Sequence, residues 1–375
     1  MKLLLLFSFE ISLQDWIDSG LFDREVELYR KLIHQYPVQV QFLTYGDARD
    51  RSSESHDIGL LPVYESQPRH SVQLIRLLRT LFLPSALAEH FRGVDIYKTN
   101  QMMGAWVGII GKVFFRKPLL VRCGYELSEF LRLGRAKWWH RLGGWALSFI
   151  VYHFADRIHV ATHNDEKIVR KRFRVSPKKI HVRPNWVNTE IFCPPTDAHE
   201  RRHDLLFVGR FTDQKNLPLL IDAITGTDFK LTVVGAGELE SEIKRRVDEQ
   251  DVVVDFRGRI ANNSLVTMYQ KSLIYVLCSH YEGNPKTLLE AMACGCAVIG
   301  TDVPGVREII DNKKNGILVD PNPVCLRQAI VDLFDDPNFC QDLGNAARKT
   351  ILQKYDLDAA VEAEWHAYNA LTGGR

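Results

Sequence analysis

The chain has 375 residues, enough for about two domains at roughly 150 residues each. Its 46% hydrophobic and 25% charged residues are the proportions of an ordinary folded protein, which excludes a disordered or low-complexity chain. The formal net charge of +2, taken whole, makes no demand for nucleic acid or another polyanion.

The first predicted element is an apolar run at residues 3–9. It is only seven residues long, Glu10 interrupts it and no small-residue cleavage site follows, so a buried strand is expected rather than a secretory signal. Short apolar runs at 38–44, 58–63, 95–98, 119–123 and 157–161 continue the strands of the first half. Segments of helical periodicity at 24–35, 72–83, 138–154 and 165–173 lie between them. The second half repeats the alternation, with strands at 205–208, 231–234, 252–256, 274–278 and 298–300. Such βα repetition implies parallel sheets. No uncharged run reaches the roughly 20 residues that span a bilayer; 145–155 contributes eleven.

Proline and charge mark a linker at Arg183-Pro184-Asn185-Trp186 and again from Cys193-Pro194-Pro195 to Asp204. The expected architecture is therefore α/β, two doubly wound parallel-sheet (Rossmann-like) domains over 1–190 and 191–354, facing a cleft. Ligands of such folds sit beyond the carboxyl ends of the strands. A last helix within 355–375 carries Trp365, Tyr368 and Leu371 on one face. It either packs back on the first domain or completes the second.

The seven cysteines (Cys123, Cys193, Cys278, Cys294, Cys296, Cys325 and Cys340) are odd in number and scattered, which points to reduced thiols in a cytosolic compartment. Cys294 and Cys296 lack a second pair or a His cluster at zinc-site spacing, so no metal site is expected.

The densest candidate constellation runs from Tyr281-Glu282-Gly283-Asn284-Pro285 through Thr287, Leu288 and Glu290 to Gly295. Pro285 suits a helix start, and the free N–H groups around Thr287 and Leu288 would form an anion site. Glu282 before the helix and Glu290 inside it can accept hydrogen bonds from different hydroxyls of one sugar ligand; a capping Glu and an exposed helix Glu are the plainer alternative. In Val208-Gly209-Arg210 with Lys215-Asn216, two cations at a strand's carboxyl end suit a diphosphate, Arg by bidentate contact and Lys as a point charge. Solvated surface cations would look the same one at a time. Gly235-Ala236-Gly237 has two of the three glycines of a dinucleotide fingerprint, Glu240 standing at the third, and suits a tight strand-to-helix turn better than a nicotinamide cofactor.

Together these segments, with Asn315-Gly316-Ile317-Leu318-Val319 and the linker Arg183 to Phe192, resemble the family-4 retaining glycosyltransferases of the two-domain GT-B fold. The resemblance is strong over about 180–320 and faint before it. It implies that Arg210 and Lys215 hold the diphosphate of a nucleotide-sugar donor, with Gly209, Gly235, Gly283, Asn284, Thr287 and Leu288 around it. It further implies that Glu290 binds the ribose, Glu282 contacts the transferred sugar, and Gly258, Arg259 and Ile260 border the base. Departure of a nucleoside diphosphate develops negative charge that fixed cations and helix dipoles stabilise most in the transition state, so no metal or other cofactor is implied. Two departures concern the first domain. Many relatives carry a Gly-Gly loop after the first strand, where this chain has Phe9-Glu10-Ile11-Ser12-Leu13; many have His-Gly where it has Cys123-Gly124. Cys123 and Gly124 are candidates for the sugar or acceptor side, a buried small residue being the plainer reading of Cys123.

The net charge changes meaning when divided. Residues 98–183 hold 18 Lys or Arg against five acids, a local +13 that leaves −11 for the remainder. Within them Arg132, Arg135, Lys137, Trp138, Trp139 and Arg141 interleave cations with aromatic rings, a composition suited to an anionic membrane surface and a peripheral position on its cytoplasmic side. No nucleic-acid motif accompanies it. A basic solvated face with the tryptophans in the core is the alternative. The expected activity is transfer of a sugar to a glycan or lipid-linked acceptor; a nucleotide-sugar 2-epimerase of the same fold and a non-catalytic nucleotide-sugar-binding relative are the other readings.

Overall fold

Both halves of the computed structural model, described over residues 1–52, 57–196 and 203–373, are built on an all-parallel sheet. The first contains β1 (Lys2–Leu6), β2 (Gln39–Thr44), β3 (Gly59–Pro62), β4 (Ile96–Thr99), β5 (Leu119–Cys123), β6 (Arg157–Val160) and β7 (Ile180–Val182), in the order β3-β2-β1-β4-β5-β6-β7. The second contains β8 (His203–Val208), β9 (Leu231–Val234), β10 (Val254–Phe256), β11 (Ser272–Leu277), β12 (Ala297–Thr301) and β13 (Ile317–Val319), in the order β10-β9-β8-β11-β12-β13. The order reverses between β1 and β4 in one sheet and between β8 and β11 in the other. At such a switch point the two connections leave in opposite directions, and a crevice opens beyond the strand ends.

The strands read as unbroken apolar runs because helices cover both faces of a parallel sheet. Leu3, Leu4, Leu5 and Leu6 of β1 are all buried, which explains why the first element shows no alternation. Two strands escaped the periodicity reading, β7 and β13. Each has three residues and forms a sheet edge, too short for a pattern to register. The helix expected over 72–83 is two helices, Gln73–Thr80 and Leu83–Ala86. Pro84 sits in the first turn of the second, where its missing N–H costs nothing, and could not have continued the first.

The chain divides into Met1–Pro184 with Ala360–Arg375, and Asn185–Ala359. The division falls at Pro184 for local reasons. Asn185 donates its backbone N–H to Asn284 Oδ1 (2.8 Å), and Val187 donates to Tyr355 O (2.9 Å), both partners belonging to the second unit.

The C-terminal helix, Leu357–Thr372, belongs to the first unit from Ala360 onward and contributes more than an apolar face there. Trp365 stacks on Tyr36 at 4.7 Å. Buried Glu364 accepts a 2.8 Å hydrogen bond from Lys98 Nζ on β4, which also donates to Tyr368 OH at 3.0 Å. His159 of β6 lies beside them, its Nδ1 3.3 Å from Glu364 Oε1. Burial outweighs that carboxylate and draws the imidazole pKa from 6.5 down to about 4. The unfolded chain therefore takes up the proton first. Stability is complete above about pH 6.5 and falls as the pH drops toward 4, by roughly 3 kcal/mol for this group. His159→Gln is expected to flatten the dependence of melting temperature on pH across that window. An unchanged slope in thermal denaturation would remove His159 as its source.

Candidate functional site

The order β10-β9-β8-β11 lines up four loops along the carboxyl edge of the second sheet. Gly209 and Arg210 follow β8, Gly235 follows β9, Gly258, Arg259 and Ile260 follow β10, and the segment from Glu282 to Leu288 follows β11. The first three are stitched by backbone. Gly235 N–H donates to Gly258 O at 2.8 Å, Gly209 N–H to Val234 O at 3.0 Å, and Phe211 N–H to Ala236 O at 3.1 Å. Gly235 has φ +143°, and a Cβ there would lie 1.9 Å from Gly209 O. Only glycine lets the two loops approach this closely.

One cation and one carboxylate of the two motifs, Lys215 and Glu282, meet across the β8–β11 switch point. A 3-10 turn, Asp213–Lys215, carries Lys215, and its Nζ donates to Glu282 Oε1. Ser279 Oγ donates to the same oxygen at 2.7 Å, and Thr301 Oγ1 to Ser279 O at 2.6 Å, so the carboxylate is held from β11 and β12 as well. The pair is largely enclosed, with side-chain exposures of 15% for Lys215 and 7% for Glu282. Gln214 ties the loops together, accepting from His280 N–H on its backbone (2.9 Å) and donating its side-chain amide to Tyr281 O (3.0 Å). Below them, a Cβ on Gly305 would come within 1.9 Å of Gly283 O, so glycine there sets the depth of the Glu282–Gly283 loop. Arg210 is exposed, and its charge opposes the rise that burial causes in the Tyr281 phenol pKa.

The helix Lys286–Ala293 starts at Pro285, which has no side-chain cap to offer. The N–H groups of its first turn have no intrahelical acceptors, and their dipoles favour an anion. Tyr275 OH donates to Thr287 Oγ1 at 2.8 Å, Leu288 is buried, and Asn284 bonds Asn185 through both its side chain (2.8 Å) and its carbonyl (2.5 Å). Lys286 Nζ lies 5.3 Å from the centre of the Trp186 ring. Glu290 stands one turn deeper and is buried. Asn262 Nδ2 donates to one of its oxygens at 2.9 Å and Tyr269 OH to the other at 3.0 Å, which fixes the carboxylate plane.

Pattern reasoning named the charged groups and overlooked what holds them: Ser279, Thr301, Asn262, Tyr269 and Gly305. Only Gly305, in a Pro-Gly pair just beyond a strand, carried a local signal. The others are ordinary polar residues until the sheet places them.

In the first unit, Cys123 ends β5 in a buried position. Its thiol donates to Tyr125 O at 3.0 Å and accepts from Tyr152 OH at 3.5 Å. Burial pushes the thiol pKa far up, so the sulfur remains a protonated packing group at neutral pH. Gly124 N–H donates to Gln101 Oε1 at 3.0 Å. After β1, Glu10 turns its side chain into its own unit, accepting from Tyr64 OH (2.7 Å), Arg76 Nε (2.8 Å) and Arg69 Nη2 (2.7 Å). Burial alone would raise its pKa, and these three donors hold it below the ordinary carboxylate value. Trp138 is 69% exposed and Trp139 49%, so the alternative that placed the tryptophans of the basic segment in the core fails.

Among the described residues no group of three or more His, Cys, Asp or Glu is placed to hold a metal ion, and no disulfide forms between the cysteines. Among the same residues no helix is long and apolar enough to cross a membrane.

The family described as Glycosyl transferases group 1 matches residues 190–350, and Glycosyltransferase Family 4 matches 26–191. A relative from Campylobacter jejuni, GalNAc-alpha-(1->4)-GalNAc-alpha-(1->3)-diNAcBac-PP-undecaprenol alpha-1,4-N-acetyl-D-galactosaminyltransferase, is 28% identical over 224 residues, 58% of this chain and 60% of its own length. D-rhamnosyltransferase WbpZ of Pseudomonas aeruginosa is 31% identical over 155 residues, 40% of this chain and 41% of its own. The chain thus spans three fifths or less of these two curated relatives. Among solved structures, sucrose-phosphate synthase from Thermosynechococcus elongatus superposes with a TM-score of 0.85 at 20% identity, covering 100% of both chains. Anabaena HepE in complex with UDP gives 0.79 at 15% identity, covering 99% of this chain and 100% of its own. Two family matches that meet at residues 190–191, one over each half of the chain, together with the structural likeness, show that the chain is homologous to glycosyltransferases of GT-B fold, family-4-like members included.

Proposed function

We propose that the protein transfers a sugar from a nucleoside-diphosphate sugar, with retention of anomeric configuration and without a required metal ion. The observation that carries this reading is the enclosed Lys215–Glu282 pair beside an uncapped helix start at the β8–β11 switch point. An ammonium has three N–H donors, and Glu282 accepts one of them. Lys215 and Arg210 meet the diphosphate, and the N–H groups of Thr287 and Leu288 add a second anion contact. As the bond from the sugar to the diphosphate breaks, negative charge grows on the leaving oxygen, where these fixed groups need no reorganisation.

Glu282 contacts the transferred sugar, and Glu290, steadied by Asn262 and Tyr269, accepts from the ribose. Gly258, Arg259 and Ile260 border the base; Gly209, Gly235, Gly283 and Asn284 supply close backbone. The acceptor is a glycan or lipid-linked saccharide, handled by the first unit near Cys123 and Gly124. The Campylobacter relative, whose name specifies a diphosphoundecaprenol-linked saccharide, supports that class. The composition of the basic segment Arg132 to Arg141 supports a peripheral position on the cytoplasmic face of a membrane.

A thermal-shift panel of nucleoside diphosphates and their sugars tests the donor assignment. One nucleotide series is expected to raise the melting temperature, and hydrolysis or transfer of that donor is expected to persist in a chelator, with the released or transferred sugar keeping its anomeric configuration. No response to any member would defeat the reading. Loss of turnover in chelator would defeat its metal-free part.

A further inference from the structure

The exposed apolar residues are unevenly distributed. Of the 22 large hydrophobics exposed among the described residues, four (Ile191, Val253, Val324 and Leu352) lie in the second unit and 18 in the first. Seven of those 18 fall on one helix, Trp138–Phe154, whose outer face a folded domain would ordinarily make polar. Its buried side is narrow and built of Gly144, Ser148, Val151 and Tyr152, with Gly144 facing Leu131 and Leu127 and Ser148 Oγ donating to Glu126 at 2.9 Å. Turned away from them are Trp138, Leu142, Trp145 and Phe149 in one row, with Trp139 and Ile150 beside it. The row is internally packed, with Trp145 stacked on Phe149 at 5.6 Å and Phe149 tilted against His153 at 4.2 Å, so the side chains from Trp138 to Phe149 form a ridge about 17 Å long. At the far end Lys112 Nζ donates to Phe154 O at 2.8 Å, bringing the exposed Val113 and Phe114 of the helix Ala105–Phe115 next to it.

The charge around this ridge has one sign. Each of the five acids in residues 98–183 is withdrawn from solvent or engaged. Glu126 and Asp165 are buried. Glu129 pairs with Arg132 (2.5 Å) and Arg172 (3.5 Å), Asp156 pairs with Lys112 (2.7 Å), and half-buried Glu166 lies 3.2 Å from His163. Arg135, Lys137 and Arg141 remain exposed around the start of the helix, Lys137 resting 5.2 Å from the Trp139 ring. A partner that accepts large aromatic rings along one ridge and presents anions to the cations at its border is an interfacial lipid layer.

Resting on the peripheral position suggested above, we propose that the helix Trp138–Phe154, extended by Val113 and Phe114, inserts its outer face into the headgroup–acyl boundary of an anionic bilayer. The ridge lies in the plane of the interface, with tryptophans at headgroup depth and Arg135, Lys137 and Arg141 on lipid phosphates. Insertion, unlike surface adsorption, buries apolar area and therefore survives salt once formed.

The test is co-sedimentation of the full chain with vesicles of phosphatidylcholine alone and with about one third phosphatidylglycerol. Binding is expected to the anionic vesicles, with a blue shift of tryptophan emission and retention after a high-salt wash. Leu142→Glu with Ile150→Glu is expected to weaken binding about tenfold or more, and Lys137→Glu with Arg141→Glu to abolish the preference for anionic lipid. All four positions are exposed, so these variants fold, and their donor-induced thermal shift is expected to match that of the parent. Equal binding to both vesicles, no binding, or full release by salt would overturn insertion. So would a dimer in light scattering that the Leu142 and Ile150 substitutions dissociate, because the ridge would then face a second copy. Donor turnover measured on the same preparation keeps the two ideas separate: turnover without docking sinks only the membrane face, and docking without turnover sinks only the enzymatic reading.

Discussion

Lys215→Ala is expected to lower kcat by about 10²–10³-fold, the effect of removing one preorganised donor from a developing anion. On the proposed donor site, the loss should appear in kcat more than in KM, because Arg210 and the helix start would still hold the ground-state diphosphate. Stability should change less. Glu282 loses its ammonium partner yet keeps the Ser279 hydroxyl at 2.7 Å. Arg210→Ala should behave similarly but more mildly, since Arg210 is exposed and works in higher dielectric. Glu282→Gln preserves shape and removes the charge next to Lys215. If the pair serves the donor, the Lys215→Ala/Glu282→Gln double variant will be far less impaired than the product of the single effects. Near-normal turnover in both Lys215→Ala and Arg210→Ala, measured with the donor identified by thermal shift, would defeat the site assignment.

The second large effect is on stability. Glu364→Ala is expected to destabilise the protein by about 3–5 kcal/mol, because Lys98 would be left charged and enclosed without its carboxylate. The surroundings of Lys98 leave few substitutes. Its ammonium lies 5.1 Å from the Tyr29 ring and 5.5 Å from the Tyr368 ring, and among the described residues only Tyr368 OH remains as an acceptor. Burial by itself would raise the pKa of Glu364, but Lys98 and His159 hold it well below the usual carboxylate range. Its folded pKa thus lies below its unfolded one. The stabilisation it provides is complete above the ordinary carboxylate pKa and is lost as the pH falls through that range and below it. A Lys98→Met/Glu364→Leu double variant, which removes both charges at similar volume, should recover most of the loss. Chemical denaturation of the full chain is the measurement. A cost below about 1 kcal/mol for Glu364→Ala would show that the pair is hydrated rather than enclosed.

The motifs proposed for the donor site were readable because each is local. Gly209-Arg210, Gly235, Gly258 and Glu282-Gly283 all follow strands, and a strand followed by glycine or a polar turn is visible within ten residues. Their convergence was readable only as an expectation tied to a parallel sheet, and the strand order supplies it. What remained invisible were long-range partners. Nothing near Glu364 in sequence points to Lys98, 266 residues away, and nothing near Glu282 distinguishes Ser279 or Thr301 from other hydroxyls. Trp138 and Trp139 show the same limit from the opposite side. An aromatic residue in a helix reads equally well as core or surface, and only packing on Gly144 and Ser148 turns the rings outward.

Residue order alone thus established two α/β halves, the cations and carboxylates that follow strands of the second half, and the concentration of positive charge in residues 98–183. These follow from local periodicity, turn chemistry and counting, which act over a few residues and need no knowledge of distant contacts. Tertiary structure decided which charges neutralise one another, which carboxylates are held by which hydroxyls, and where the C-terminal helix anchors. It also decided that the acids of the basic segment are spent internally while its apolar ridge faces out. Those outcomes depend on desolvation and on the closing of long loops, free energies set by the whole packed unit rather than by any stretch of its sequence.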